Sequence, residues 1–401
     1  MNCHQTANIG VNWRISVNSM EIKNLKKAAA RITKAIKNQE RIILYGDADM
    51  DGIGSTIILK EAIKNLGGKI AALYFPDREL EGYGLNEDAL NYLKKQAPAL
   101  LILLDCGISN LDEVKIAKNL GFEVMIVDHH QPLKKLPKAS IIVNPKQKGD
   151  KYPFKEFAAA GVVFRLIERL LDGKITTSLR NNFLELVALA TIADMMPQTN
   201  DNLEIVGEGL RSLKNTSRPA LQAFWEIDPV IKDNTNQFAQ KIIVACNAGN
   251  GKKHSNEAYL LLTEKSVKEA ESMAKHLLDK AYDRHLQIKE IVEEIERKVL
   301  RKTGDTIIFE GEDWWPVLML GPAASKIVRA YKKPVFLHNQ KNGICQGAVR
   351  TPKGVDGVKA MMKCSKTLET YGGHAQAAGF RIKEKDLEKF RSCLIDYFMI
   401  K

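Results

Sequence analysis

The sequence has few cysteines and no long apolar run. Its six cysteines are scattered without a C-x-x-C pair, which argues against a zinc site and against a disulfide framework. We therefore expect most of them to be reduced core thiols. No stretch approaches the roughly 18 uncharged apolar residues that a membrane span needs, and the start, MNCHQTANIG, lacks the basic-then-apolar order of a secretory signal. These absences predict a cytoplasmic protein that does not enter the membrane.

The chain is long and positively charged. With 401 residues, 45% of them hydrophobic, it suits two domains with sizeable cores. Sixty basic and 48 acidic side chains give a formal charge of +12, which favours a polyanionic partner without identifying one. Lysines cluster at residues 23–37, 134–155 and 363–366. A nucleic-acid groove and an ordinary solvated surface explain these clusters equally well.

Short apolar runs alternate with helical patterns from residue 40 to about 145. The predicted strands are 41–46, 69–75, 99–105 and 123–128, and the predicted helices between them are 54–66, 86–95 and 110–120. This order is typical of a parallel sheet wrapped by helices. A mostly helical stretch follows from Ala158 to Leu213, and the polar segment from Pro219 to Asn250 predicts hinges or loops.

A long amphipathic helix is predicted from Lys265 to Arg301, where apolar residues recur at steps of three and four. Strand and helix patterns then resume, including a strand at PVLML and a helix over 322–331. The fold class is therefore α/β, with a parallel-sheet domain joined by a long helix to a smaller α/β domain. The predicted boundaries are an N-terminal segment over 1–39, the first domain over 40–225, a linker with the long helix over 226–302, and the second domain over 303–401.

Carboxylates and imidazoles stand where three of the predicted strands end. They are Asp47, Asp49 and Asp51 after the first strand, Asp105 after the third, and Asp128, His129 and His130 after the fourth. Open α/β sheets place their chemistry at this carboxyl edge. Acidic turns also cap helices, so Asp51 alone has a structural explanation. Asp194 adds a carboxylate at the end of an apolar helix, where an acid before a proline turn is commonplace.

A site with many carboxylates, one or two imidazoles and no thiolate suits Mn²⁺ or Mg²⁺ better than structural zinc. Five or six ligands are enough for two ions. A pair of ions about 3.5 to 4 Å apart clamps a phosphoryl group and lowers the pKa of a bridging water. The residues therefore predict phosphoester hydrolysis.

These motifs resemble the DHH phosphoesterase superfamily, and specifically its RecJ-like single-strand exonuclease branch. The matching segments are GDADMDGIGS at 46–55, PDRELEGYGLN at 76–86, LLDCGIS at 103–109, VDHH at 127–130, AAAGVVF at 158–164, LVALATIADMMP at 186–197, GPAASKIVRAYKKP at 321–334 and YGGHAQAAGF at 371–380. They occur in the family's order along most of the chain, so chance is a poor explanation.

The resemblance implies roles for the residues of the metal centre. The implied metal ligands are Asp47, Asp49, Asp51, Asp105, His129 and Asp194, of which Asp105 would bridge two ions. His130 would face the substrate, as a phosphate contact or as the acid that helps the leaving oxygen depart. A supporting histidine without such a role is the alternative. Asp128 would orient the adjacent imidazoles or the turn.

The resemblance also implies a DHH catalytic domain over 40–225 and a DHHA1 substrate-binding domain over 303–401. The implied substrate contacts are Arg78, Tyr83, Ser325, Arg350, Gly372, Gly373 and His374. Without the family match, the EGYG loop and the GGH triplet would be interpreted as turns, and Ser325 as a serine on a helix surface. Arg350 is the candidate for a bidentate phosphate contact.

Two segments depart from the family's pattern. NAGNGKKH at 247–254 lacks the arginine expected there, and Lys252 or Lys253 would substitute as a point charge without the fork geometry. GAVRT at 347–351 lacks the usual serine before the arginine. We also find no room for the extra oligonucleotide-binding barrel of larger relatives. These departures put the grip on long strands in doubt, whereas the metal centre is complete.

The predicted function is a metal-dependent exonuclease for single-stranded nucleic acid, DNA more than RNA, acting 5′ to 3′ by resemblance. We expect a cytoplasmic monomer in DNA repair or recombination that meets repair or replication proteins. One alternative is a small-substrate phosphodiesterase for oligoribonucleotides or cyclic dinucleotides, which the EGYG and GPAAS matches disfavour. The other is an inactive replisome scaffold, which the retained metal ligands disfavour.

Overall fold

The fold is that of a computed structural model, which describes residues 20–78, 80–230, 234–300, 305–341 and 343–399. Over these residues the chain forms two α/β regions joined by one long helix. The predicted fold class is thereby confirmed. In this part of the chain, no helix combines the length and the apolar character that a membrane crossing requires.

Five parallel strands form the sheet of the first region. They are β1 (Ile42–Gly46), β2 (Ile70–Tyr74), β3 (Ala99–Leu104), β4 (Phe122–Val127) and β5 (Ile141–Val143), in the spatial order β2-β1-β3-β4-β5. β1 and β3 are buried along their whole length, as their continuous apolar sequences require in a parallel sheet. The register places Gly46 beside Leu104 and Leu104 beside Val127. The residues that follow these strands therefore share one edge of the sheet.

Helices cover both faces of this sheet. They are α1 (Leu25–Lys37), α2 (Met50–Asn65), α3 (Glu87–Leu93), α4 (Leu111–Asn119), α5 (Ala159–Leu171), α6 (Thr177–Ala193) and α7 (Asp201–Leu213). On one face α1, α2, α5 and α6 contribute to a large apolar core, and on the other face α3 and α4 close a smaller one. Burial on both faces stabilises the sheet and with it the edge that carries the acids.

The segment predicted as hinges or loops is helical, which corrects that prediction. It contains α8 (Pro219–Ile227) and α9 (Thr235–Asn247). Phe224 is buried in α8, and Phe238 and Ile242 are buried in α9 at helical spacing. Polar residues between these positions obscure the period in the sequence, so that tertiary packing decides the structure.

A hairpin and two helices lead to the second region. The hairpin pairs β6 (Gly251–Lys252) with β7 (Ser255–Asn256), and α10 (Glu257–Thr263) follows it. The predicted long helix is α11 (Val267–Val299), which is continuous.

α11 joins the two regions through separate apolar contacts at its two ends. Ala270 and Leu277 belong to the large core of the first region. Ile291 and Ile295 pack in a core of the second region. One continuous helix therefore ties the second region to the first.

The second region is a mixed five-stranded sheet with helices. Its elements are β8 (Ile308–Glu312), α12 (Val317–Tyr331), β9 (Val335–Lys341), β10 (Ile344–Arg350), α13 (Gly357–Lys363), β11 (Leu368–His374), β12 (Ala377–Lys383) and α14 (Leu387–Met399). The spatial order is β11-β12-β10-β9-β8, in which β8 and β9 are parallel and the other neighbours are antiparallel. The run PVLML, predicted as a strand, instead starts α12, with Pro316 directly before the first helical residue.

Cys364 and Cys393 form a disulfide between the end of α13 and α14. The sequence did not predict this bond, since the two cysteines lie 29 residues apart and only the fold brings them together. Cys106, Cys246 and Cys345 are buried free thiols, as expected for core cysteines.

Candidate metal centre and substrate cleft

The carboxyl edge of the parallel sheet gathers the predicted acids. Asp47, Asp105 and Asp128 directly follow the aligned ends of β1, β3 and β4. Asp105 has a left-handed backbone conformation with φ of 62°, which aspartate tolerates better than most residues. Asp194 reaches the same edge from the C-terminal end of α6.

His129 faces this cluster with an unprotonated nitrogen. Its Nδ1 lies 2.8 Å from the carbonyl oxygen of Phe157 and donates its hydrogen there, which leaves a lone pair on Nε2. Nε2 lies 3.3 Å from Asp105 Oδ1, 3.5 Å from Asp194 Oδ2 and 3.7 Å from Asp51 Oδ2. Among the described residues, Asp105 Oδ1, His129 Nε2 and Asp194 Oδ2 are buried without a hydrogen-bond partner. Acceptors that converge in this way are costly unless a cation lies between them.

The electrostatics of the cluster agree with this geometry. Burial, together with the neighbouring carboxylates, raises the pKa of Asp105 well above its ordinary value. Burial and the charge of Asp49 raise the pKa of Asp194 to about 7. Burial, reinforced by His130, lowers the pKa of His129 well below its ordinary value. The negative charge of the cluster therefore exceeds what the protein itself compensates.

Asp105 belongs to three groups of potential ligand atoms, one of them with Asp128 and His130. Asp51, Asp105 and His129 offer atoms within 4.8 Å of one another, and Asp47, Asp49 and Asp105 do the same. A carboxylate shared by two groups is the arrangement that a bridging ligand needs. Carboxylate oxygens with one imidazole nitrogen and no thiolate fit Mn²⁺ or Mg²⁺.

Asp51 also caps a helix. Its Oδ2 accepts a hydrogen bond of 2.7 Å from the backbone nitrogen of Ala159, and its Oδ1 accepts one of 2.8 Å from that of Ala160. These bonds satisfy the N-terminus of α5. Each oxygen retains a second lone pair, so the cap leaves open the predicted role of Asp51 as a ligand.

Arg78 lies across Asp47 and Asp49. Its Nε donates to Asp47 Oδ1 at 3.1 Å, and its Nη2 donates both to Asp47 Oδ2 and to Asp49 Oδ2, the latter at 2.9 Å. Asp49 Oδ1 accepts from the backbone nitrogens of Asp51 and Gly52 and caps α2. The predicted phosphate contact is thus bonded to two of the predicted metal ligands.

Asp128 holds the two imidazoles in place. It is fully buried, and its Oδ1 accepts from the backbone nitrogens of His129 at 2.7 Å and His130 at 3.0 Å, while its Oδ2 accepts from that of Ile108 at 3.1 Å. Oδ1 also lies 2.9 Å from His130 Nδ1. Burial lowers the pKa of His130, but the charge of Asp128 and this hydrogen bond outweigh burial and raise it to about 9.

The EGYG loop contacts both Asp105 and His130 through Tyr83. The Tyr83 hydroxyl lies 3.0 Å from the backbone oxygen of Asp105 and 3.1 Å from His130 Nδ1. Gly84 has φ of 87°, and a Cβ there would lie 2.7 Å from Asn110 Oδ1. Tyr83 therefore contacts the turn that carries Asp105, a predicted metal ligand, and Gly84 lets the loop close on that turn.

His374, the last residue of β11, brings a side chain of the second region against the two histidines. Its ring stacks on that of His130 with centroids 4.8 Å apart and lies 5.3 Å from that of His129. Burial lowers the pKa of His374 to about 3. Gly373 before it has φ of 126°, and a Cβ on Gly372 would meet no atom within 4 Å. The GGH triplet thus places one imidazole, and a glycine with open space beside it, next to His129 and His130.

Arg350 ends β10 without a carboxylate among its hydrogen-bond partners in the described chain. Its Nε donates to Ser325 Oγ at 3.1 Å and its Nη1 to the carbonyl oxygen of Val349 at 2.9 Å. Burial lowers its pKa. Ser325 Oγ in turn donates to the carbonyl oxygen of Gly321 at 3.0 Å, so Ser325 orients Arg350. A half-buried guanidinium bonded to neutral oxygens is a favourable place for an anion.

The NAGNGKKH segment forms the end of α9 and the β6–β7 hairpin. The backbone nitrogen of Met50 donates to Asn247 Oδ1 at 3.3 Å, which fastens this segment to the acidic turn. Arg284 of α11 donates to the carbonyl oxygen of Asn247 at 2.8 Å, so an arginine from another element contacts the segment that lacks one. Lys253 is exposed at the hairpin tip. The prediction for Lys252 concerns a side chain that lies outside the described part.

Two residues of the site were missed in the sequence. Phe157 acts through its backbone carbonyl oxygen, which no side-chain pattern reveals. Asn144 follows β5 directly, and its Nδ2 donates to the carbonyl oxygen of His130 at 2.9 Å. The signal for Asn144 was available, because it is a polar residue after an apolar strand in the same position as Asp47 and Asp105.

Comparison with known proteins gives matches in both regions. The family described as DHH family, N-terminal domain, matches residues 41–191, and the DHHA1 domain matches residues 304–399. The single-stranded-DNA-specific exonuclease RecJ of Bacillus subtilis is 34% identical over 93% of this chain and 48% of its own length. That of Thermus thermophilus is 30% identical over 93% of this chain and 54% of its own length. The chain therefore spans about half the length of these curated relatives.

Solved structures match in fold. RecJ from Thermus thermophilus in complex with Mn²⁺ superposes with a TM-score of 0.78 at 26% identity, over 95% of this chain and 55% of that one. An exonuclease RecJ bound to manganese superposes with a TM-score of 0.75 at 28% identity and covers 95% of both chains. Both neighbours hold manganese, the ion that the donor set here fits.

Proposed function

Because this chain belongs to the DHH family and combines its N-terminal domain with a DHHA1 domain, we propose that it is a metal-dependent exonuclease that hydrolyses single-stranded DNA. The observation that carries the proposal is the convergence of three unpartnered atoms, Asp105 Oδ1, His129 Nε2 and Asp194 Oδ2. The names of the relatives, single-stranded-DNA-specific exonucleases, support this substrate class.

Two divalent ions are the cofactors we propose. The predicted ligands Asp47, Asp49, Asp51, Asp105, His129 and Asp194 would hold them, with Asp105 shared. Bound there, Mn²⁺ or Mg²⁺ would supply activation of a water molecule and stabilisation of charge on the phosphoryl oxygens. The chain itself fixes the geometry: Phe157 orients His129, and the left-handed backbone of Asp105 turns its carboxylate to the centre.

His130 is the candidate acid of the reaction. Asp128 keeps a proton on it across the neutral range, since their hydrogen bond and opposite charges favour the imidazolium form. An imidazolium beside the scissile phosphate would give its proton to the leaving oxygen. Tyr83 and Asn144 support His130 through contacts to its Nδ1 and its carbonyl oxygen.

The second region would bind the phosphate backbone of the strand. Arg350 offers a guanidinium without a carboxylate partner in the described chain, and His374 offers an imidazole stacked on His130. The open space beside Gly372 would let a phosphate approach its backbone closely. We expect the strand to pass between the two regions, where His374 lies against His130, and a single strand needs less room there than a duplex.

The finer parts of the proposal concern direction and setting. We propose 5′ to 3′ cleavage with release of mononucleotides, in DNA repair or recombination, by a cytoplasmic monomer that meets repair or replication proteins. Direction follows from the family resemblance. The role in repair follows from the activity named for the relatives.

Digestion of end-labelled strands tests the proposal. Single strands of DNA and RNA, labelled at either the 5′ or the 3′ end, are incubated with the purified chain and Mn²⁺ or Mg²⁺, with Asp105→Asn as the inactive control. We expect metal-dependent release of labelled mononucleotide from 5′-labelled DNA. Hydrolysis restricted to dinucleotides would favour the small-substrate phosphodiesterase instead, and absence of any hydrolysis would favour the scaffold.

A further inference from the structure

The two halves of the candidate metal centre differ in how their charge is balanced. On the Asp194 side, Asp105 Oδ1, His129 Nε2 and Asp194 Oδ2 converge without a partner among the described residues. On the other side, Asp47 and Asp49 are bonded to the guanidinium of Arg78. One position therefore has bare acceptors, whereas the other already has a cation of the protein's own.

One nitrogen atom of Arg78 contacts both carboxylates on the second side. Nη2 of Arg78 donates to one oxygen of each carboxylate, Asp47 Oδ2 and Asp49 Oδ2. Those two residues and Asp105 offer ligand atoms within 4.8 Å of one another. The guanidinium nitrogen thus lies between the oxygens that an ion in this position would use.

The carboxylate oxygens of Asp47 and Asp49 are mostly occupied by hydrogen bonds within the protein. Asp47 Oδ1 accepts from the backbone nitrogen of Ala48 at 2.8 Å as well as from Arg78 Nε. Asp49 Oδ1 is held by the N-terminus of α2. Asp47 is almost fully buried, with 1% of its side chain exposed. Because Arg78 Nη2 is bonded to both Asp47 Oδ2 and Asp49 Oδ2, an ion held between these two oxygens would take the place of the guanidinium nitrogen.

Resting on the two-ion centre of the proposed function, we infer that Arg78 competes with the second divalent ion for Asp47 and Asp49. The two ions therefore bind unequally. The position of Asp105, His129 and Asp194 fills first, because binding there replaces no protein contact. The position of Asp47 and Asp49 fills second and more weakly, because the ion must displace a charge-assisted, forked pair. Displacement also frees the guanidinium, so that loading of the second ion makes Arg78 available to a substrate phosphate.

The test is a titration of the metal-free full chain with Mn²⁺ in the absence of nucleic acid, followed through the electron paramagnetic resonance signal of the free ion. We expect two classes of site in the wild type. Arg78→Gln removes the competitor, and it should tighten the weaker class about tenfold or more, since hydrogen bonds between charged groups are lost from the competing state. The tighter class should not change. Arg78→Lys, which keeps the charge but not the fork, should lie between the two.

Arg31 provides a matched control. Arg31 lies in α1, and its Nη2 also donates to two carboxylates, Glu40 Oε2 and Glu123 Oε2. These two glutamates lie near the starts of β1 and β4, at the opposite edge of the sheet from the acids. Arg31→Gln should leave both Mn²⁺ affinities unchanged, and thermal unfolding of each variant checks that it is folded.

Two results would overturn the inference. One is a weaker class that Arg78→Gln leaves unchanged, and the other is equal affinity of both ions in the wild type. Because no nucleic acid is present, this outcome is independent of whether the chain degrades DNA. Loss of the expected shift with normal nuclease activity would refute the competition alone, and a clear shift without nuclease activity would refute only the proposed function.

Discussion

Nδ1 of His130 lies 2.9 Å from Oδ1 of Asp128, a carboxylate with no exposed surface. Although burial opposes its ionisation, the charge of His130 and its hydrogen bond hold the pKa of Asp128 below its ordinary value. In the other direction, and against burial, the charge of Asp128 and this hydrogen bond, together with the charges of Asp194 and Asp47, raise the pKa of His130 to about 9. The carboxylate of Asp128 therefore keeps His130 protonated beside the candidate metal centre.

The first prediction concerns this pair. In the metal-free protein, Asp128→Asn should lower the pKa of His130 towards its ordinary value, because the neutral amide no longer stabilises the imidazolium. The imidazolium should then lose its proton at lower pH than in the wild type, as measured by NMR of histidine-labelled protein. Turnover should fall about 10- to 100-fold with unchanged metal stoichiometry. An unaltered titration of His130 would show that Asp128 does not control its proton.

The second prediction concerns Asp105. Asp105→Asn should abolish turnover, because the shared carboxylate is the one group common to both ligand sets. Asparagine keeps the left-handed backbone conformation accessible, with φ of 62° in the wild type, which alanine would not. The metal-free variant should unfold at a temperature no lower than the wild type, since the substitution removes a buried charge that burial and neighbouring acids disfavour. Activity on labelled DNA and thermal unfolding without metal measure the two effects. Retained turnover would remove Asp105 from the centre.

The strand ends were predictable from the sequence, and so was much of the site. Each of Asp47, Asp105 and Asp128 follows an apolar run, and parallel strands in register must bring such residues to one edge. The pairing of Asp128 with His130 was predictable for another reason, because only one residue separates them in the chain. Periodic apolar positions also predicted α11 to within two residues at each end.

Contacts made across the fold were not predictable. Arg78 was expected near a phosphate, and only the folded loop reveals that it bridges Asp47 and Asp49. The helix cap made by Asp51 joins residues that are more than 100 positions apart. The disulfide between Cys364 and Cys393 was likewise not predictable, since a spacing of 29 residues between two cysteines matches no sequence motif. Local sequence patterns predict which helix or strand a residue belongs to. The contacts named here depend instead on how those helices, strands and loops pack against one another.

The third prediction concerns Arg350. Arg350→Lys should raise KM for single-stranded DNA about tenfold or more and change kcat less, because a point charge cannot reproduce the fork that binds two oxygens of one phosphate. Ser325→Ala should have a smaller effect in the same direction, since Ser325 acts by orienting the guanidinium. Arg329→Lys, an exposed arginine on α12, is the matched control and should resemble the wild type. Steady-state kinetics on a labelled strand separate KM from kcat. Equal KM values for the two lysine variants would exclude Arg350 from substrate binding.

The last prediction concerns the state of His129 before and after an ion binds. Because Phe157 accepts the Nδ1 hydrogen and burial lowers the pKa of His129, the ring should stay neutral, with its hydrogen on Nδ1, at a pH where an ordinary histidine, with a pKa near 6.5, is already half charged. Nitrogen-15 NMR of histidine-labelled protein distinguishes the protonated nitrogen from the unprotonated one. Addition of Mg²⁺ should then move the Nε2 resonance and leave Nδ1 nearly unchanged, since Nε2 alone faces Asp105 and Asp194. A hydrogen on Nε2, or a response to the ion at Nδ1, would mean that His129 is not the imidazole ligand of this centre.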